Sequence, residues 1–176
     1  IDEKGLLTDE LRESIMAASK LVEIEDLYRP FKEKKKTKAT EAIKLGLEPL
    51  AKEIFRENKN IREEAKKYLN DKVLDIDFAL EQANYIVAES ISDNANFRKY
   101  IRANTFKFGI LKTSKKKKAE DENQVYEMYY DYSEPVKNVK QHRVLAINRG
   151  EKEGVLSVSI DTNNEYLENY LKGKLI

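Results

Sequence analysis

Glu25-Asp26-Leu27-Tyr28-Arg29-Pro30-Phe31-Lys32-Glu33-Lys34-Lys35-Lys36-Thr37-Lys38-Ala39-Thr40, followed shortly by Gly46-Leu47-Glu48-Pro49-Leu50, is the stretch on which the reading of this chain turns. An acidic helix end meets Pro30, which pushes the residue before it out of helical geometry and stops the helix near Tyr28. Residues 29–38 then hold six bases against one acid, Glu33, whereas residues 1–28 hold eight acids against three bases. Thr37 is placed to cap a new helix, Gly46 to end it in a left-handed conformation, and Pro49 to open the next one in its first turn. The pair is a helix–turn–helix in the loose topological sense.

Upstream, Thr8 caps a helix with Asp9 and Glu10 in its first turn, where negative charge suits the helix dipole. Leu11, Ile15, Ala18 and Val22 recur at spacings of three and four, so the expected helix runs unbroken to Tyr28. Downstream, Ile61, Ala65, Tyr68 and Leu69 define another helix. Asp75 or Asp77 caps one with Leu80, Ala83, Val87 and Ile91 on its apolar face, and Ser92 caps the next through Phe97, Tyr100 and Ile101 to Gly109. Short links between amphipathic helices imply all-α packing.

The character changes after Gly109. Lys115–Lys118 and the acids behind it cannot bury apolar surface and read as a mobile charged loop. Val125–Tyr132 is rich in tyrosine and is either helix or strand, with Pro135 breaking it. Asn138–Arg149 reads as a helix ended by Gly150. Val155–Ile160 reads as a short alternating strand, and Asn164–Leu171 as a last helix.

Composition narrows the classes. Of 176 residues 40% are hydrophobic and 37% charged, an excess of charge that suits long helices with solvated faces rather than a thick sheet. Net charge is only +1, so the segregation noted above conceals a local basic patch. No apolar run approaches a membrane span and no signal peptide opens the chain, so a soluble protein without membrane partners is expected. Absence of cysteine excludes disulfides and thiolate metal sites and fits a reducing cytoplasm. The opening residue, Ile1, suggests an excised piece of a longer protein.

The candidate binding residues are Arg29, Lys32, Lys34, Lys35, Lys36 and Lys38. Several cations in reach of one another suit nucleic-acid phosphates, with Tyr28 and Phe31 available to stack on bases. The same residues also read as a solvated turn held to the core by Tyr28, Pro30 and Phe31. His142 is the only histidine, so no histidine pair can bind zinc. It reads as a helix-start residue, with Arg143 and Arg149 pairing with carboxylates. Glu48, Glu53 and Glu57 read as solvated surface. No phosphate loop, EF-hand loop, dinucleotide fingerprint or nucleophile elbow is present, so no catalytic residue, metal site or cofactor is expected.

Glu25-Asp26-Leu27-Tyr28, Pro30-Phe31-Lys32, Thr37-Lys38-Ala39-Thr40 and Gly46-Leu47-Glu48-Pro49-Leu50-Ala51 together resemble the signature of the bacterial Tex family of transcription accessory proteins. His142-Arg143, Leu145-Ala146, Arg149-Gly150-Glu151 and Glu153-Gly154-Val155-Leu156 form a second match. Gly5-x-Leu7-Thr8-x-Glu10-Leu11, Ala79-Leu80-Glu81-x-Ala83 and Ile86-x-Ala88-Glu89-x-Ile91-Ser92 extend it along the chain. Two departures stand out. The family favours a proline at 33 and arginines at 35 and 36, and Pro-Ser where this chain has Lys140-Gln141. A flexible Glu-Lys run is less preorganised for phosphates than a Pro-Arg one.

The resemblance implies a mainly α, multihelical scaffold with a helix-turn-helix-like element and a short β-strand near the C-terminus. Residues 1–112 would be an N-terminal-like helical domain, 113–124 a charged flexible loop, and 125–176 the rest of the helical region leading toward an RNase H-like domain. Family members add helix-hairpin-helix repeats and an OB-fold RNA-binding module of the S1 type, neither matched here, and are related to the eukaryotic elongation factor that escorts nucleosomes. The implied role is a non-enzymatic cytoplasmic scaffold for binding RNA or DNA in transcription, mainly through modules outside this fragment. The alternative is a protein-interaction module for RNA polymerase or ribosomal components, motivated by Tyr126, Tyr129, Tyr130 and Tyr132 taken as exposed aromatics.

Overall fold

The computed structural model describes residues 1–2, 5–34 and 36–175. The chain divides into two compact units, Ile1–Lys99 and Tyr100–Ile176. The division falls inside a helix, upstream of the boundary expected after residue 112.

The first unit is helical. Thr8 caps α1 (Asp9–Ala17) by accepting the Leu11 N–H. The single helix expected to Tyr28 is interrupted, because Ala18 is extended and α2 (Leu21–Tyr28) begins separately. Glu23 reaches back to the Ser19 N–H at 3.0 Å and satisfies a donor at the new N-terminus, which stabilises the break. At Pro30 the chain tightens rather than unwinds. Arg29 keeps helical dihedrals (φ −53°, ψ −42°), and Arg29–Phe31 form a 3-10 turn.

Thr37 and Thr40 form a reciprocal capping box at the start of α3 (Lys38–Lys44). Gly46 then turns the chain at φ +79°, a conformation that costs glycine little, into α4 (Glu48–Phe55) with Pro49 in its first turn. A short α5 (Ile61–Ala65) with a 3-10 extension leads to α6 (Ile76–Asp93), capped by Asp75. The core gathers Ala39 and Ala42 of α3, Leu47, Leu50 and Ala51 around α4, and Ala79, Ala83 and Ile86 of α6. The buried face of α6 is therefore rotated from the expected Leu80, Ala83, Val87 and Ile91. Alanines at 79 and 83 facing alanines at 39 and 42 let helices approach closely, whereas Leu80 and Val87 pack at the margin. Asn94, not Ser92, caps α7 (Ala95–Phe108), accepting from the N–H groups of Asn96 and Phe97.

The second unit has more strand than expected. β1 (Ile110–Lys115), β2 (Asp131–Pro135) and β3 (Leu156–Asp161) form an antiparallel sheet in the order β2-β1-β3. The expected strand near residue 156 is an edge of this sheet, and β1, read as the approach to a loop, is its centre. Lys112, Ser114 and Lys115 hid the strand, yet Leu111 and Thr113 alternate inward as a half-buried strand requires. Residues 113–115 thus belong to the sheet rather than to a loop. Of the two readings left open for Val125–Tyr132, its end is strand, preceded by a 3-10 turn at Glu127–Tyr129, and Pro135 ends β2.

α8 (Gln141–Lys152) starts later and runs further than expected, with a 3-10 turn at Val136–Asn138 before it. Gly150 does not end α8 but lies buried within it. A Cβ there would come within 2.7 Å of Leu156 and 3.0 Å of Tyr126, so glycine permits close packing. The helix stops instead at Gly154, φ +79°. Leu111, Tyr126, Tyr129, Ile147, Val155 and Leu156 form this core, and α9 (Asn164–Leu175) follows. Among the described residues no helix is long and apolar enough to cross a membrane.

Candidate functional site

The basic turn lies along one face of α6. Glu81, Tyr85, Glu89 and Asp93 recur at steps of four, which places them in a ladder on one side of the helix. The turn runs antiparallel to that ladder. Arg29 Nε donates to Asp93 Oδ1 at 2.8 Å, while Lys34 Nζ bonds Asp93 Oδ2 and pairs with Glu89 Oε2 at 3.0 Å. Further along, Lys38 Nζ donates to the Tyr85 hydroxyl at 3.1 Å and lies 4.5 Å from its ring centroid. Tyr85 in turn donates to Glu81 at 2.8 Å.

Asp93 is only 6% exposed, so its charge is supported by two cations rather than by water. Burial pulls the Lys34 ammonium down, but Asp93 and Glu89 outweigh that and hold its pKa above the usual lysine value. The hydrogen bond to Tyr85 likewise raises Lys38. α2 is tied down nearby by Asp26, paired with Arg98 at 2.6 Å, and by Glu23, 3.4 Å from Lys99.

The six candidates thus have different surroundings. Arg29, Lys34 and Lys38 are engaged within the unit. Lys36 is exposed near Glu41, whose carboxyl is lowered by Lys44 first and by Lys36 last. Lys32 is exposed and has no ion pair among the described residues. Lys35 lies outside the described residues. Phe31 is half-buried and Tyr28 remains exposed. Sequence reasoning missed Tyr85, Glu89 and Asp93, although their four-residue spacing was a readable signal.

The tyrosine-rich segment is not an exposed aromatic surface. Tyr126 and Tyr129 are core residues, 3% and 7% exposed, and Tyr130 and Tyr132 are half-buried. Their hydroxyls find carboxylates: Tyr126 donates to Glu153 at 2.7 Å, Tyr130 to Asp121 at 2.9 Å, and Tyr132 to Glu134. Arg143 also donates to both oxygens of Glu134 at 2.9 Å, so this arginine pairs with a carboxylate as expected. His142 is exposed in the first turn of α8. Among the described residues no cluster of three or more histidine, cysteine or acidic side chains is arranged to hold a metal ion.

Comparison with known proteins adds to this geometry. Residues 56–174 match the family model described as Tex central region-like. The chain is 46% identical over 181 aligned residues to the uncharacterized protein YdcI of Bacillus subtilis, an alignment covering 100% of the chain and 25% of that protein. It is 35% identical to the transcriptional accessory protein Tex of Neisseria gonorrhoeae, across 91% of the chain and 21% of the relative. A human protein described as S1 RNA-binding domain-containing protein 1 is 25% identical over 98% of the chain. The chain spans a quarter or less of the length of these relatives.

Proposed function

The chain belongs to the Tex family, and on that premise we propose that it is a non-enzymatic helical scaffold of a transcription accessory protein, positioning nucleic-acid-binding modules. The observation that carries this reading is the antiparallel seating of Arg29, Lys34 and Lys38 on Asp93, Glu89 and Tyr85. Arg29 and Lys34, committed to carboxylates of α6, and Lys38, bonded to the Tyr85 hydroxyl, hold helices together rather than reach for phosphates. Lys32 and Lys36 face outward and add weak phosphate contacts at the rim of the turn. The protein acts in the cytoplasm, and the partner is RNA or DNA held mainly by the relatives' further modules.

Titration of labelled single- and double-stranded oligonucleotides at several low salt concentrations separates the two sets of cations. The Lys32→Ala/Lys36→Ala variant is expected to keep its thermal midpoint, bind more weakly and lose about 0.7–0.9 of salt slope per phosphate contact removed. The Arg29→Ala/Lys34→Ala variant is expected to melt earlier. Oligonucleotide binding that survives loss of Lys32 and Lys36 unchanged would remove the phosphate contacts from this reading. A thermal midpoint unaffected by loss of Arg29 and Lys34 would remove the scaffold role of the turn.

A further inference from the structure

The sheet of the second unit has two edges, and they are built differently. Register decides which backbone groups point outward. Lys116 N–H donates to the Val155 carbonyl at 2.9 Å, and the pairs Ser114↔Ser157 and Lys112↔Ser159 continue the same alternation. Odd-numbered residues of β3 therefore direct their N–H and C=O groups to β1, and Val158 and Ile160 direct theirs to the open side. On the other edge, Lys115 N–H bonds the Tyr130 carbonyl and Val136 N–H bonds the Gly109 carbonyl. That register sends Asp131, Ser133 and Pro135 outward on β2. A proline without a donor and a charged side chain discourage a further strand there.

β3 has no proline, and its one charged residue, Asp161, stands at its end with its backbone groups turned to β1. From Leu156 to Ile160 it carries neither proline nor charge, and it alternates apolar with serine. Leu156 is enclosed, but Ser157 and Ser159 are exposed, Val158 is half-buried and Ile160 is 50% exposed. Among the described residues, no backbone group outside the β1 ladder bonds Val158 or Ile160.

We propose that this edge is a homotypic docking site, pairing antiparallel with β3 of a second copy about a two-fold axis at Ser159. Backbone parity favours that centre. Val158 and Ile160 of one copy face Ile160 and Val158 of the other with their outward N–H and C=O groups opposed, so each donates and accepts across the axis. Side chains agree with the same register. Val158 and Ile160 lie on the apolar face with their cross-strand partners Thr113 and Leu111. On the opposite face Ser159 meets Ser159, and Ser157 meets Asp161, which Lys112 holds at 2.7 Å. No like charges are brought opposite one another. A strand pair this short buries less than the roughly 1,200 Å² of stable complexes, so the dimer is weak, with a Kd of about 0.1–1 mM.

Sedimentation equilibrium between about 10 μM and 1 mM reads this directly, because the average mass should climb from monomer toward dimer. Ile160→Pro removes an outward N–H without touching the ladder to β1, and Ile160→Lys keeps the N–H but adds an edge charge. Each should weaken self-association by at least about tenfold with the circular dichroism spectrum unchanged. In the unmodified chain, amide exchange at Val158 and Ile160 should slow as concentration rises. A chain that stays monomeric at the highest concentration overturns the proposal. So does a dimer that forms without slowing those two amides or persists in both variants.

Discussion

The basic turn at residues 29–38 and the tyrosine-rich segment at residues 126–132 are both built of side chains with an apolar stem and a polar tip, and both were candidates for outward-facing work. They are anchored by different forces. In the turn, Arg29 and Lys34 meet the nearly buried Asp93, and the contact rests on paired charge. In the tyrosine segment the rings enter the core beside Ile147 and Leu156, and the hydroxyls merely complete hydrogen bonds to Glu153 and Asp121. A polar tip is thus no guide to exposure once the fold supplies its partner.

Truncation should show the contrast most strongly on the aromatic side. Tyr126→Ala empties a core site against Gly150 and should cost about 3–5 kcal/mol in urea unfolding, whereas Tyr126→Phe, which loses only the bond to Glu153, should cost about 1 kcal/mol. Equal losses from the two would mean that the hydroxyl, not the ring, holds the segment. Asp93→Ala comes next. Removing a buried carboxylate leaves Lys34 and the half-exposed Arg29 without their shared partner, at a cost of about 2–3 kcal/mol. A change near zero would show that Phe31 packing alone seats the turn.

The smallest effects are local and set by pH. Burial pushes the Asp121 carboxyl up, but the N–H groups of Tyr126 and Val125 and the Tyr130 hydroxyl outweigh it and hold its pKa below the usual aspartate value. Its contribution is present above the unfolded value near 4 and is lost as pH falls through the lower folded value. Acidification should therefore speed amide exchange at Val125 and Tyr126 first. Lys34 has the opposite sign: its raised pKa gives stability that is present below about 10.4 and lost as pH rises through the folded value. Exchange in the turn that accelerates on the acid side before the tyrosine loop does would contradict the assignment of these groups.

Much of the first unit was legible. Thr8, Thr37, Asp75 and Gly46 act where their local chemistry says, because a cap or a left-handed turn involves only a few neighbouring residues. The break at Ala18 was not legible, since an amphipathic stripe continues through it and only the Glu23 side chain reveals the second start. Nor was β1, where Lys112 and Ser114 lie on the solvent face while Leu111 and Thr113 carry the burial. Gly150 was misread for a related reason. Helix-ending glycine and close-packing glycine are the same residue, and only the approach of Leu156 tells them apart. At the candidate site the cations were visible, but their partners lie 47 to 64 residues away in the chain.

The sequence by itself determined the family, the helical character and the position of the caps and turns, because each rests on short-range order along the chain. Tertiary structure decided what the basic turn and the tyrosines face, and which strands form the edges of the sheet. Those outcomes depend on groups brought together from distant positions, where a charge or hydroxyl is stabilised only by the partner that folding delivers.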